Sequence, residues 1–326
     1  MVNGAPGSAW ASLRSTPGGD DDVQLIGFPA HDDPTPLSDR HLFDLASLTK
    51  VFTAVVALRL VDQGAIDLDA PVAPVLEVGS GSGASGITLR HLLTHSSGLP
   101  TEGDAWRDGV QGEELRRRVL RRPLGFEPGA AHLYSDVGYI AAGEYLERVA
   151  GRPIAELWDE AATLLGAASL TCTPDAGEAV ATETQPHRGP VRGEVHDELA
   201  HALGRPAGHA GLFGSVHDVA ALARSVRDDG AGPRGRVLSE DSARALRTPT
   251  LRADAGYGQA IGLRWRDESW MGGLDAVGHT GFTGTCFAVD SGSGGFGVLL
   301  VNRVHPSREH ADLAAVRRAF LGPLAA

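Results

Sequence analysis

At 326 residues, with 42% hydrophobic and 21% charged residues, the chain can bury a full core and has the balance of an ordinary soluble globular protein. A formal net charge of −12 disfavours nucleic acid and anionic membrane surfaces as partners, because both exchange their counterions for a basic face. Two cysteines, Cys172 and Cys286, are too few for a disulfide framework or a zinc site and read as small packing residues.

The first 20 residues are rich in Gly, Ser and Pro and read as loosely held, with a short strand after them over 23–28. No basic segment precedes an apolar one there, and no apolar run approaches the roughly 18 residues of a membrane span, so the reading is a cytoplasmic protein. A helix is predicted over 48–63, stopped by Gly64. Val51, Phe52, Val55, Val56, Leu58, Leu60 and Val61 cover too wide an arc for a surface helix, which predicts a path through the core. From 67 to about 230 the pattern is helical with long loops, including helices over 89–95, 113–121, 137–150 and 217–228. The arginines at 116, 117, 118, 121 and 122 alternate with Glu113, Glu114 and leucines and read as a solvated helix face.

Beyond Arg252 the texture changes to short strands, over 260–265, 277–280, 285–290 and 297–302, the last two joined by a Ser-Gly turn, and a helix over 307–320 closes the chain. Strands near both termini with helices between them predict an α/β (α+β) fold in a single domain. Residues 1–70 and 250–326 together would form an antiparallel sheet lobe, with a helical lobe, 71–249, inserted. A small-molecule site is expected in the cleft where two such lobes meet.

One basic residue stands apart. Of 29 Lys and Arg, only Lys50 is lysine. Arginine supplies surface charge as well as lysine does but never gives up its proton, so an amine tuned by burial has to be lysine. Ser47 lies one helical turn before it, so the two side chains point the same way. A serine hydroxyl becomes a nucleophile once a neighbour takes its proton, and a desolvated lysine can do that. Ser47 alone fits a helix N-cap equally well. Two further clusters carry usable chemistry: Tyr134-Ser135-Asp136 ahead of a helix, and His279-Thr280-Gly281 at a strand end.

In order and separation these three elements resemble the S-x-x-K, Y-x-N and K-T-G motifs of the serine β-lactamase and penicillin-binding-protein superfamily, in its class C β-lactamase-like branch. The stretches 88–99, 208–213 and 218–220 look like further segments of that family, and the likeness runs from about residue 43 to residue 303. The resemblance implies a β-lactamase-like fold and acyl transfer without a cofactor or metal. Ser47 would be the nucleophile, Lys50 and Tyr134 would share the proton transfers, and the N–H groups of Ser47 and Phe282 would form the oxyanion hole. Asp136, His279, Thr280 and Gly281 would then face the substrate.

Two positions depart from the motifs. Asp136 replaces the usual Asn: a carboxylate accepts but does not donate, and beside Lys50 it would keep the ammonium protonated. Either it favours substrates bearing an amine, or it turns away and fixes its loop. His279 replaces the K-T-G lysine and is mostly neutral at pH 7, which argues against efficient β-lactam hydrolysis while leaving general hydrolase chemistry intact. The cluster of His187, Arg188, His196, Asp197, Glu198 and His209 lacks a helix-spaced metal-ligand pair. Arg188 and His209 read instead as lining of an acyl pocket.

The leading reading is a serine hydrolase that cleaves a small ester, amide or peptide-like substrate through an acyl-Ser47 intermediate. The enzymatic alternatives are a DD-peptidase or D-aminopeptidase and a transacylase of a small-molecule pathway. A non-catalytic ligand-binding sensor is the alternative from another class. The acyl donor, the acceptor and the oligomeric state are not written in the sequence.

Overall fold

The computed structural model describes residues 7–102, 104–254, 256–309 and 312–325. A hairpin of β1 (Ala9–Ser15) and β2 (Asp22–Gly27) opens the chain. Three two-residue ladders follow: β3 (Phe43–Asp44) with β6 (Phe213–Gly214), β4 (Thr184–Gln185) with β5 (Gly189–Pro190), and β7 (Ala231–Gly232) with β8 (Gly235–Arg236). The C-terminal part adds β9 (Leu251–Arg252), β10 (Gly258–Gln259), β11 (Arg264–Trp265), β12 (Ala276–Thr280), β13 (Cys286–Asp290) and β14 (Phe296–Val301). The principal sheet has eight strands in the order β2-β1-β14-β13-β12-β11-β10-β9, antiparallel throughout.

Residues 9–15 are therefore not loosely held: β1 lies between β2 and β14, with Ala9, Ala11, Leu13 and Ser15 buried. Alanine and serine have weak β-propensity, so this strand owes its existence to ladders on both of its edges rather than to local preference. The strand expected over 260–265 is two short strands around a turn. Gly262 has φ +74°, and a Cβ there would lie 2.6 Å from Ala54 Cβ, so the turn packs directly on the helix at Ala54.

The helices are α1 (Thr49–Asp62), α2 (Leu89–Leu93), α3 (Gly112–Leu120), α4 (Asp136–Ala150), α5 (Ile154–Leu165), α6 (Glu198–Leu203), α7 (Val216–Arg227), α8 (Glu240–Arg247), α9 (Glu268–Met271) and α10 (Ala314–Leu321). The closing helix begins seven residues later than its expected start at 307; residues 310 and 311 of that expected span lie outside the described residues. On α3, Arg116 is buried and ion-paired to Glu144, so one of the expected solvated arginines ties α3 to α4, with Arg205 on the same carboxylate. Among the described residues no helix is long and apolar enough to cross a membrane.

The core is built around α1, which is buried on nearly every side and packs against α4, α5 and α8. Each fully buried Leu, Val or Phe on it contributes about 1.5–3 kcal/mol. Helix α7 covers β1, β13 and β14. The turn that opens α1 also touches β12, which brings the end of the sheet to the start of the buried helix.

Candidate active site

Ser47 sits in a single 3-10 turn, Ala46–Leu48, that runs straight into α1. The Asp44 carboxylate sets up this corner, accepting from the Ala46 N–H at 2.7 Å and the His196 N–H at 2.7 Å. Ala46 is held at φ +46°, a left-handed conformation costly for a residue with a Cβ, so the chain kinks just before Ser47. Burial pushes the Asp44 carboxyl above its ordinary range. No side-chain cap is made at this helix start, so Ser47 is not an N-cap, and its hydroxyl is available.

Lys50, on the first turn of α1, is 1% exposed. Its Nζ lies 3.0 Å from Ser47 Oγ, 3.0 Å from the His209 carbonyl oxygen and 2.7 Å from Asp136 Oδ1. The rings of Tyr134 and Tyr139 lie 5.2 and 5.8 Å from it. Burial pushes Lys50 toward the neutral amine, but the Asp136 carboxylate and the Tyr134 hydroxyl together outweigh it, so Lys50 is raised above the usual lysine value. The expectation that desolvation would lower it is thereby corrected: the resting group is an ammonium. Asp136 has not turned away to fix its loop. Its charge is taken up by Lys50, which removes the ground for a preference for amines.

Tyr134 and Asp136 are delivered by the start of α4. Ser135 caps that helix, its Oγ accepting from the Gly138 N–H at 2.9 Å while donating to the Pro100 carbonyl at 2.6 Å. The Ser135 N–H in turn donates to His95 Nδ1 at 3.0 Å. His95, whose ring centroid is 4.3 Å from that of Tyr134, backs the tyrosine from the loop after α2. It is a part of the site that residue-by-residue reading missed, since a histidine inside an apolar helix-loop stretch carries no signal of its own.

His279, Thr280 and Gly281 end β12. His279 Nδ1–H donates to the Thr280 carbonyl at 2.9 Å, and its ring centroid is 6.1 Å from that of Tyr134. Burial, then the nearby charges of Arg264 and Lys50, hold His279 well below the usual histidine value. Burial, with Lys50 next, does the same to His95. Both are neutral at pH 7, so His279 supplies no substitute for a lysine charge.

A stability consequence follows. In the unfolded chain both histidines bind a proton near pH 6.5, and in the folded chain they do not, so below that pH the unfolded state holds more protons. Stability therefore falls as pH drops below about 6.5, by up to about 1.4 kcal/mol per pH unit for each histidine. Thermal melts between pH 7.5 and 5 should show it, and the His95→Gln, His279→Gln double variant should show a flatter dependence.

Gly281 is a matter of space. A Cβ there would lie 2.1 Å from Thr285 Oγ1 and 2.6 Å from the Leu45 carbonyl oxygen. Thr283 and Thr285 tie the same corner to the nucleophile turn, donating to the Asp44 carbonyl at 2.7 Å and the Leu45 carbonyl at 3.1 Å. Gly281→Ala should cost about 3 kcal/mol through overpacking and should pry β12 away from Ser47. Chemical denaturation and turnover measured on the same variant check both effects.

Ser47, Tyr134, Thr280, Gly281 and Phe282 line one cleft of about 510 Å³. The Phe282 N–H has no hydrogen-bond partner among the described residues, as an oxyanion donor requires. The same cleft is lined by Arg264, Arg303 and Arg317, with Asp312 as the acidic member, so an acidic protein presents a basic pocket here. Arg264 comes from β11, its guanidinium 5.2 Å from the Tyr134 ring centroid. Arg303 Nε donates to the Phe282 carbonyl at 2.9 Å, and Arg317 Nη2 to the Gly281 carbonyl at 3.3 Å. Sequence reading missed all three, because nothing local distinguishes them from the chain's other arginines.

The two loop residues expected in an acyl pocket behave differently. Arg188 closes its own loop, with Nη1 on the Val195 carbonyl at 2.9 Å and Nη2 on Glu194 at 3.1 Å, and it does not line the cleft. His209 reaches the site through its backbone, whose carbonyl holds Lys50, while its buried Nε2–H donates to Asp197 at 3.0 Å. Burial pushes Asp197 up, but His209 and the Ala200 N–H outweigh it and hold the carboxyl well below its usual range. Of the cluster's other two histidines, His196 donates to Glu183 at 3.0 Å, and the His187 ring lies beside Trp106, with centroids 5.8 Å apart.

The beta-lactamase family model matches residues 13–321. The chain belongs to the beta-lactamase family. It is a serine hydrolase of that fold, and the match extends beyond the stretch 43–303 over which its motifs were legible. This beta-lactamase family member is 28% identical over 314 residues to the N-acetylmuramyl-L-alanine amidase of Bacillus subtilis, covering 83% of this chain and 70% of that one. In fold it is similar to a class C beta lactamase from Rhodobacter sphaeroides, with a TM-score of 0.77, 22% identity, and 98% and 95% of the two chains covered. It is also similar to EstCE1, a hydrolase with promiscuous acyltransferase activity, with a TM-score of 0.78, 21% identity, and 97% and 94% covered.

Proposed function

We propose that this protein hydrolyses an ester or amide through an acyl-Ser47 intermediate, and that the acyl donor carries an anionic group near the scissile bond. The observation that carries the reading is that Ser47, in the lining of an arginine-lined cleft, holds its Oγ 3.0 Å from a buried lysine. Ser47 attacks the carbonyl carbon, the N–H groups of Ser47 and Phe282 receive the oxyanion, and Lys50 and Tyr134 act in the proton transfers. Water then resolves the acyl-enzyme. Thr280 and Gly281 form the wall along which the substrate lies, and Arg264, Arg303 and Arg317 hold its negative charge.

A DD-peptidase-like substrate is the second reading, favoured by the same arginines, since a peptide carboxylate beside the scissile amide would meet them. β-Lactams should acylate slowly at best, because neutral His279 stands where a fixed cation would help. Against a non-catalytic sensor, nucleophile, amine and phenol are all chemically competent: Ser47 and Tyr134 line one cleft, and the Lys50 amine lies buried 3.0 Å from Ser47 Oγ.

Intact-mass measurement after incubation with a fluorophosphonate, a p-nitrophenyl ester or a β-lactam tests the reading. A mass increase located at Ser47 and absent from Ser47→Ala supports it. Wild-type protein showing neither adduct nor turnover with any of the three would end it. Product analysis with added amines and alcohols separates hydrolysis from acyl transfer.

A further inference from the structure

Three groups lie within 3.0 Å of Lys50 Nζ: Ser47 Oγ and the His209 carbonyl accept hydrogen bonds from it, and Asp136 Oδ1 is its ion-pair partner at 2.7 Å. An ammonium has no lone pair, so Lys50 cannot take the Ser47 proton unless one of its own protons leaves. The acceptors differ in what they can receive. A peptide carbonyl does not hold a proton at neutral pH, and Ser47 is the group to be deprotonated. Asp136 alone among the three can store one.

We propose that Asp136 is a catalytic residue, the terminal proton acceptor for the attack of Ser47, with Lys50 as the relay; the proposal rests on the acyl-Ser47 reading. As Ser47 Oγ bonds to the substrate carbonyl carbon, its proton passes to Lys50 Nζ while a proton already on Nζ passes to Asp136 Oδ1. The carbonyl π pair moves onto oxygen. Lys50 is an ammonium before and after, Asp136 becomes a neutral carboxylic acid, and one unit of negative charge has moved from the carboxylate to the oxyanion. When the tetrahedral adduct collapses, the proton returns along the same path to the leaving oxygen or nitrogen as its bond to carbon breaks. In deacylation, water takes the place of Ser47 and the sequence repeats.

The surroundings suit a relay of this kind. Asp136 is fixed as the first residue of α4, with its N–H donating to the Thr101 carbonyl at 2.7 Å, and its side chain is 26% exposed. The other titratable groups around Lys50 are accounted for. Tyr139 donates its hydroxyl to the Leu93 carbonyl at 2.9 Å, and Asp197 is committed to His209 and Ala200. His95 and His279 are held neutral, Arg264 is permanently charged, and Tyr134 stands over Nζ as the remaining proton-transfer partner. An asparagine at 136 could accept a hydrogen bond from Lys50 but could not take the proton.

The test is the pH profile of kcat/KM for a p-nitrophenyl ester in Asp136→Asn, a variant that keeps shape and removes the acceptor. Activity at pH 7 should fall 100-fold or more. The acid limb should move up by at least one pH unit, because Lys50 must now lose its proton to solvent first, and activity should recover at alkaline pH. Asp136→Ala should be partly restored by added formate and not by chloride, which a merely structural role would not show. Asp136→Asn with wild-type or higher activity at pH 7 and an unmoved acid limb would overturn the proposal while leaving the acyl-enzyme reading intact. Wild-type protein that forms no Ser47 adduct would sink both.

Discussion

Replacing Ser47 with alanine is expected to reduce turnover of any ester or amide substrate by on the order of 10⁴ to 10⁶ and to abolish covalent labelling, while thermal stability changes little. The residue is half-buried in a turn whose conformation is set by the Asp44 carboxylate and the Ala46 kink rather than by the serine side chain. Loss of one hydrogen bond to Lys50 leaves the His209 carbonyl and the Asp136 ion pair on the ammonium, so the fold should survive. Steady-state kinetics, labelling and a thermal melt on the same preparation check all three. Retained turnover would show that another nucleophile does the chemistry.

Lys50→Arg should be almost as damaging, lowering kcat by about 10² to 10⁴ with KM less affected. The substitution keeps the positive charge opposite Asp136 but cannot pass a proton, because a guanidinium does not deprotonate in proteins. The raised Lys50 value makes the comparison informative. Were the ammonium needed only as a fixed charge, arginine would preserve much of the rate. Near-normal kcat in Lys50→Arg would therefore remove lysine from the proton path, whether it acts as base or relay. Unfolding of the variant, read by circular dichroism, would instead report that the fully buried site has no room for the larger group.

Much of the site was legible because its chemistry is carried by residue type at fixed separation. A single lysine one turn after a serine on an apolar helix could be read directly, and the structure places the two groups 3.0 Å apart. The Tyr134 and His279 segments were found through resemblance, and both reach the same cleft. The arginines were not legible. Arg264, Arg303 and Arg317 come from a strand, the turn after β14 and the last long helix, and they share a cleft only once the sheet is assembled. Asp44 escaped notice for the same reason, since its role is to join the Ala46 and His196 backbones, which are far apart in sequence.

The fold divides in the same way. Apolar periodicity located α1, α3, α4 and α7 to within one or two residues, because a helix closes its hydrogen bonds within its own segment. The first strand was read as loose chain and 260–265 as one strand, because strand hydrogen bonds belong to partners elsewhere in the chain. Sequence by itself determined which groups could react and that they lie on one buried helix and two flanking segments. Only tertiary structure decided the charge state of Lys50, the direction in which Asp136 points and the basic lining of the cleft. Those properties depend on burial and on distances between distant segments, and neither quantity exists until the chain has packed.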